Sequence, residues 1–314
     1  MEISSTSVAV DIPTVQPVQC VFDKVCIDVA IKGDKANPTK RILDEVSGGF
    51  GPKELIAVMG PSGSGKTTML NALTGVATPT SGTITINGQL FSPATSKRFT
   101  ALVPQDDYLM PTLTPMEAMM DAATFKANLP PGDALARTEE LLTQFGLQEC
   151  RNVAIGHPEG LKGLSGGQKK RLSVALELMG NPSLLFLDEP TSGLDSVAAL
   201  SLVRLLKSIA QSGATVIATI HQPSAAAFFH FDRLLLLAKG QACYLGQIPE
   251  LVPFFSRAGF PCPEYHNPAD FAMEVLATAL SAGRDVPDNF VASEVPMICS
   301  RFPSEVLLLC SELL

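Results

Sequence analysis

Gly60-Pro61-Ser62-Gly63-Ser64-Gly65-Lys66-Thr67 constrains this chain more than any other stretch. It follows a short apolar run, Leu55 to Met59, and opens a segment that reads as a helix from Lys66 to about Thr74. The pattern G-x-x-x-x-G-K-[ST] between a strand and a helix is a phosphate-binding loop. Its glycines let backbone N–H groups converge without Cβ clashes, and the helix that follows presents its positive end. Lys66 is expected to reach the β- and γ-phosphates, and the hydroxyl of Thr67 to ligate Mg²⁺. Thr68 completes the run GPSGSGKTT.

A second segment, residues 184–189, has four apolar residues ending in Asp188 and Glu189. A buried parallel strand would deliver both acids at its carboxyl end, beside the phosphate loop. Asp188 is then the candidate Mg²⁺ ligand, directly or through water, and Glu189 the group that orients the attacking water. Taken alone, such a segment is as well read as a strand ending in solvated acids; the loop upstream favours the chemical reading. A third segment, Leu164-Ser165-Gly166-Gly167-Gln168, precedes the helical run KKRLSVALELM. Ser165 is placed to cap that helix, and Gly166 and Gly167 expose N–H groups at its start, which makes a second anion site. In isolation this is an ordinary glycine-containing helix start. Two phosphate-binding helix ends serve one site if the second comes from another chain.

Around these segments the pattern alternates. Strands are expected at 19–31, 42–50, 55–59, 83–88, 98–105, 184–187, 215–220 and 233–237, with helices at 66–74, from Pro115, at 133–145, 166–179 and 198–211. Thr114-Pro115-Met116-Glu117 is a capping box with proline at the first helical position. The division expected is a flexible lead-in over 1–18, a globular domain over 19–280 with a helical subdomain at roughly 106–180, and a linker or truncated tail over 281–314. The net charge of −8 argues against a sequence-independent nucleic-acid binder, because phosphate contacts need a basic surface. The seven cysteines show no CxxC pair, so a zinc site is not expected, and reduced thiols in the cytosol are. The longest apolar stretches, 234–238 and 306–310, are far below the ~20 residues of a membrane-spanning helix.

In their order, GPSGSGKTT, LSGGQ, LLFLDEP and SGLD resemble the ABC ATPase motif set. The resemblance implies an α/β fold: a P-loop NTPase core with a mainly parallel sheet, an N-terminal antiparallel β region and the inserted helical subdomain. It implies that Gln105 in VPQDD is the Q-loop residue, which touches Mg²⁺ and the membrane partner. Asp195 in SGLD belongs to the loop that crosses a dimer interface, and His221 in TIHQPS is the switch histidine at the γ-phosphate. ATP and Mg²⁺ are the implied ligands, with Ser165, Gly166, Gly167 and Gln168 facing the nucleotide held by a second such domain. FLDEPTSGLDS, TIHQPS and HNPADFAMEV are similar to the G subfamily of ABC transporters, of the White and pleiotropic-drug-resistance type. That likeness implies ATP hydrolysis that drives transmembrane export at the cytoplasmic face of a membrane, through a membrane-spanning domain that the chain itself is not expected to contain.

Two departures accompany the resemblance. Most ABC ATPases stack adenine on an aromatic residue in the first strand; Val29 is the expected counterpart here, so weak stacking is expected, and the G group likewise lacks the aromatic. No membrane domain is expected over 281–314, whose pattern matches nothing recognisable. Rival readings are a soluble ABC ATPase acting on DNA or ribosomes, and a non-hydrolytic nucleotide module. The first is disfavoured by the acidic charge and by a span between Gln105 and Ser165 too short for a coiled-coil arm. The second is disfavoured by the presence of Lys66, Glu189 and His221. Met110, Met116, Met119 and Met120 cluster after Gln105, either as a coupling surface or as filling for the subdomain core.

Overall fold

The computed structural model describes residues 16–30, 39–91, 99–156 and 162–281. The lead-in is thus described only from residue 16, and the tail beyond 281 lies outside the described residues.

A buried parallel strand reads as a continuous apolar run because both its faces are covered. Three strands are of this kind and are buried throughout: β3 (Leu55–Met59), β7 (Leu184–Leu187) and β8 (Thr215–Thr219). With β6 (Thr100–Val103), β9 (Arg233–Ala238) and β10 (Gln241–Gln247) they form a sheet of order β10-β9-β3-β8-β7-β6. All of its pairings are parallel except β9 with β10. Successive side chains on a strand point to opposite faces, and here they feed two cores. Ala57, Leu185, Val216 and Leu234 enter one, while Ile56, Phe186, Ile217 and Leu235 enter the other.

A second sheet covers the latter core. It contains β1 (Cys20–Ala30), β2 (Thr39–Phe50), β4 (Ser81–Ile86) and β5 (Gln89–Leu90), antiparallel throughout in the order β2-β1-β4-β5. Helix α1 (Lys66–Leu73) fills the same core with Met69, Leu70 and Leu73. The other core is closed by α2 (Pro115–Phe125), α3 (Pro131–Gln144), α4 (Gly166–Leu178) and α5 (Ser196–Ser212). Three of these, α2, α3 and α4, lie between β6 and β7, in the stretch read as helical from the sequence. The capping box at α2 is present: Thr114 Oγ1 accepts from Glu117 N–H, and the Glu117 carboxylate accepts from Thr114 N–H. Short α6 (Ala225–Phe228), α7 (Leu251–Arg257) and α8 (Pro268–Ser281) complete the chain as described.

Strands β5 and β10 and helices α6 and α7 were absent from the expectation. Strand β10 returns against β9 through a two-residue turn, Lys239-Gly240, with both residues at positive φ (47° and 81°). That is the backbone of the tightest hairpin turns, formed here without the Asn-Gly or Asp-Gly that announces it. Helix α7 is short and is interrupted in pattern by Pro253, yet Leu251 and Phe255 are buried. Of the clustered methionines, three fit the core-filling reading and one lies outside it. Met119 is buried in the core, Met116 and Met120 pack against it, and Met110 is 67% exposed. Among the described residues no helix is long and apolar enough to cross a membrane. Burial pushes the thiols of Cys20 and Cys243 up to about 12, so neither is a reactive thiolate at neutral pH.

Candidate functional site

In a parallel sheet the carboxyl ends of the strands share one edge, and side chains just past those ends converge. The residues singled out by sequence follow that rule. Gly60 follows β3, Asp188 and Glu189 follow β7, Gln105 lies two residues past β6, and His221 two residues past β8.

The phosphate loop needs glycine for stated reasons. A Cβ at Gly60 would lie 2.2 Å from the carbonyl oxygen of Leu237, and Gly65 has φ of 102°. Gly65 is also the N-cap of α1, which has no side-chain cap, so the helix start is left to whatever lies in the loop. Ser64 and Lys66 are buried. Ser64 Oγ has no hydrogen-bond partner among the described residues, although an unpaired buried hydroxyl costs about 1–3 kcal/mol. An orphaned donor in a glycine cradle fits a phosphate oxygen. Lys66 Nζ donates to the carbonyls of Gly60 (2.8 Å) and Pro61 (3.2 Å). Desolvation lowers its pKa from the ordinary lysine value, opposed by the charges of Glu189 and Asp188. The ammonium thus lies within the field of both acids. Pro61, Ser62, Gly63, Thr67 and Thr68 complete the loop and first turn, with Ser62, Gly63 and Thr67 exposed.

The acids are held from two sides. Gln105 Nε2 donates to Glu189 Oε2 at 3.1 Å. Asp188 Oδ1 accepts from the hydroxyl of Thr219 at 2.6 Å, and the backbone N–H of Glu189 donates to that same hydroxyl oxygen at 2.7 Å. Glu189 has φ of 44°, a left-handed backbone that a non-glycine residue adopts only at a cost of about 1–3 kcal/mol. Neither Thr219 nor Lys170 was singled out from the sequence. Lys170 is a buried cation on α4 whose Nζ donates to the Gln105 carbonyl (2.8 Å) and pairs with Asp107 (2.8 Å). It fixes the backbone that carries Gln105. A lysine in a KKR run gives no sign of burial, and a threonine ending an apolar strand gives no sign of its partners.

Of the remaining motif residues, Ser165 and Asp195 lie at helix starts and His221 lines a cavity beside the loop. Ser165 caps α4 through a complete capping box with Gln168, and Ser165 and Gly166 are exposed. Gly166 and Gly167 adjoin Leu194 and Ala198, at the start of α5. Asp195 is the N-cap of α5, its carboxylate accepting from the N–H groups of Val197 and Ala198 at 2.9 Å. His221 lines a cavity of about 980 Å³ together with Pro61, Thr191 and Asn267. Asn267 ties the start of α8 to the segment after β8, with Nδ2 donating to the Pro223 carbonyl at 3.0 Å. Val29 is 48% exposed on β1. Among the described residues no cluster of three or more His, Cys, Asp or Glu side chains could hold a metal by itself, so a cation here needs oxygen from Thr67, Gln105 or a ligand as well.

Residues 43–192 match the family model for the ABC transporter, and residues 221–298 match that for the ABC-2 type transporter. The second match corrects the expectation that nothing of a transporter's membrane portion is represented in the chain. Its described part, 221–281, includes β9 and β10, which belong to the sheet of the phosphate loop. Protein white of Drosophila melanogaster is 42% identical over 272 residues, 84% of this chain and 39% of that one. ABC transporter G family member 13 of Arabidopsis thaliana is 43% identical, over 78% of this chain and 36% of its own length. The ABC transporter ATP-binding protein/permease wht-1 of Caenorhabditis elegans is 42% identical, over 76% of this chain and 36% of its own. The chain therefore spans under half the length of these curated relatives. Among solved structures, an ATP-binding cassette seen as a dimer in a post-hydrolysis state, bound to ADP and Pi, matches with TM-score 0.62 and 26% identity. That match covers 73% of this chain and 98% of the other. The P-loop NTPase fold, the order of motifs along it and these relatives agree: the chain belongs to the ABC transporters, as an ATP-binding domain of the G subfamily.

Proposed function

We propose that this domain binds and hydrolyses Mg·ATP as one half of a nucleotide-sandwich dimer, and that the cycle drives export through a membrane-spanning partner region at the cytoplasmic face of a membrane. The observation that carries the reading is the convergence of Lys66, Asp188, Glu189 and Gln105 at one sheet edge, with Glu189 hydrogen-bonded to Gln105.

The residues divide the work by their chemistry. The loop from Gly60 to Thr68 and the uncapped start of α1 hold the triphosphate, with Lys66 as the main point charge. Thr67, Gln105 and Asp188 offer the hydroxyl, amide and carboxylate oxygens that suit Mg²⁺, which when bound neutralises phosphate charge. Gln105 Nε2 is engaged with Glu189, so its amide oxygen is the atom left for a ligand. Glu189 orients a water and accepts its proton, and His221 contacts the γ-phosphate from the switch segment. Exposed Ser165 and Gly166, with half-buried Gly167 and Gln168, form the α4 surface for the other protomer's nucleotide, and Asp195 lies at the same interface. The exposed end of α4 supports that division, as does the dimeric state of the solved cassette that the chain resembles.

Glu189→Gln tests the reading. The amide keeps the shape but accepts no proton, so ATP binding is expected to persist while turnover falls about 10²–10⁴-fold. Size-exclusion chromatography with light scattering should then show an ATP-trapped dimer. Turnover near that of the parent removes Glu189 from its role. In the parent, hydrolysis should rise faster than linearly with protein concentration while dimer is scarce; strict linearity across a dilution series of confirmed monomer removes the sandwich.

A further inference from the structure

The two acids at the end of β7 do different jobs, yet a single side chain touches both. Thr219 is the last residue of β8, opposite Val58 of β3 in register and fully buried. Its hydroxyl proton goes to Asp188 Oδ1 at 2.6 Å, and its oxygen receives the Glu189 N–H at 2.7 Å. Other buried threonines use their hydroxyls differently. Thr74 donates to the Leu70 carbonyl of its own helix, and Thr215, at the opposite end of β8, to the Gly51 carbonyl. Thr219 alone of these three is committed to the acids.

We infer that Thr219 is a positioning residue for the ATPase reaction: its hydroxyl sets the metal-binding Asp188 and the left-handed backbone of Glu189 together. The inference rests on the function proposed above and deepens it. With Oδ1 fixed by Thr219, the orientation of Asp188 toward a cation is decided before the cation arrives. A non-glycine residue at φ 44° persists only where its surroundings over-determine it. At Glu189 the determinants on both sides are visible: Thr219 holds the backbone and Gln105 the carboxylate. The β-branch of threonine adds to this, because the γ-methyl restricts χ1 and hence the direction of the hydroxyl. Serine supplies the same bonds with a freer rotor.

The test compares Thr219→Val, which removes the hydroxyl and keeps the branch, with Thr219→Ser, which keeps the hydroxyl. ATP affinity is measured by calorimetry in EDTA and in Mg²⁺, alongside kcat, KM and the melting temperature. In Thr219→Val, affinity in EDTA should stay as in the parent, while the gain in affinity on adding Mg²⁺ falls about 10-fold. Its kcat should fall about 10–100-fold with little change in KM. Thr219→Ser should recover most of both losses. If Thr219→Val fails to fold, Thr219→Ala against Thr219→Ser makes the same comparison. A Mg²⁺ gain and kcat equal to the parent's in the hydroxyl-free variant overturns the inference, as does a serine variant no better than valine. Those results leave the proposed function standing, because the parent still hydrolyses ATP. A parent that neither hydrolyses ATP nor gains affinity from Mg²⁺ overturns the function, and the role of Thr219 with it.

Discussion

The starts of α1 and α4 are the same physical device arranged in opposite ways. Each presents backbone N–H groups and a positive dipole end. At α1 the N-cap is Gly65 in a left-handed conformation with no side-chain cap, in a loop where Ser64 and Lys66 are buried. At α4 the N-cap is Ser165, whose Oγ accepts from Gln168 N–H at 3.3 Å while Gln168 Oε1 accepts from Ser165 N–H at 2.9 Å, and the end is exposed. The first end has no cap from its own chain, which on the function proposed above leaves it open to the triphosphate. The second satisfies itself, so it holds its shape while it faces solvent. The proposed site, shared between two chains, would use one end of each kind.

The contrast can be broken most directly at Lys66. Lys66→Ala should abolish ATP binding or cripple it, as read by calorimetry, because the triphosphate loses its main point charge; unchanged tight affinity would show that the open end of α1 is not a phosphate site. Ser165→Ala should have a smaller effect of another kind. Loss of an N-cap costs about 1 kcal/mol, or roughly 2–4 °C in melting temperature for a domain of this size. Monomer affinity for ATP should be unchanged and the ATP-induced dimer weakened, so a monomer-affinity loss equal to that of Lys66→Ala would erase the distinction between the two ends. Met110→Glu, on the exposed approach to α2, should leave the ATPase of the isolated chain intact and reduce its stimulation by the membrane partner. Equal stimulation of variant and parent would assign Met110 to neither the core nor the coupling surface.

The smallest effect separates two capping boxes. Glu117 at α2 carries a charge, and bonds from the backbone and hydroxyl of Thr114 hold its pKa below the ordinary glutamate value. The folded pKa is depressed, so this contribution is present above the ordinary glutamate range and is lost as pH falls through the lowered folded value. The corresponding residue at α4 is the neutral Gln168. Acidification should therefore lower the amide protection factors, corrected for intrinsic exchange at each pH, at the start of α2 while leaving those at the start of α4 unchanged; parallel loosening of both would show that the charge at Glu117 contributes nothing of its own.

Much of the fold was legible in the residues because its signals are local. The all-buried strands β3 and β7 are short apolar runs, the capping box at Thr114 is a four-residue pattern, and the phosphate loop is set by where glycine is required. The hairpin at Lys239-Gly240 was not, since its turn conformation is selected by the pairing of β10 with β9 rather than by a turn-forming dipeptide. Asp195 illustrates the boundary. Its place in SGLD gave the expectation of a dimer-facing loop; the structure makes it the N-cap of α5.

The sequence by itself named most groups of the candidate site: a glycine loop with its lysine, two acids, a glutamine and a histidine, set just past apolar strands. Only the tertiary structure decided how those groups are held. Lys170 reaches the Gln105 carbonyl from 65 residues away, Gln105 reaches Glu189 across 84, and Thr219 reaches Asp188 across 31. Those links depend on the lateral order β3-β8-β7-β6. Periodicity along a chain carries no information about which strand lies beside which, because that order is settled when the two faces of the sheet are buried.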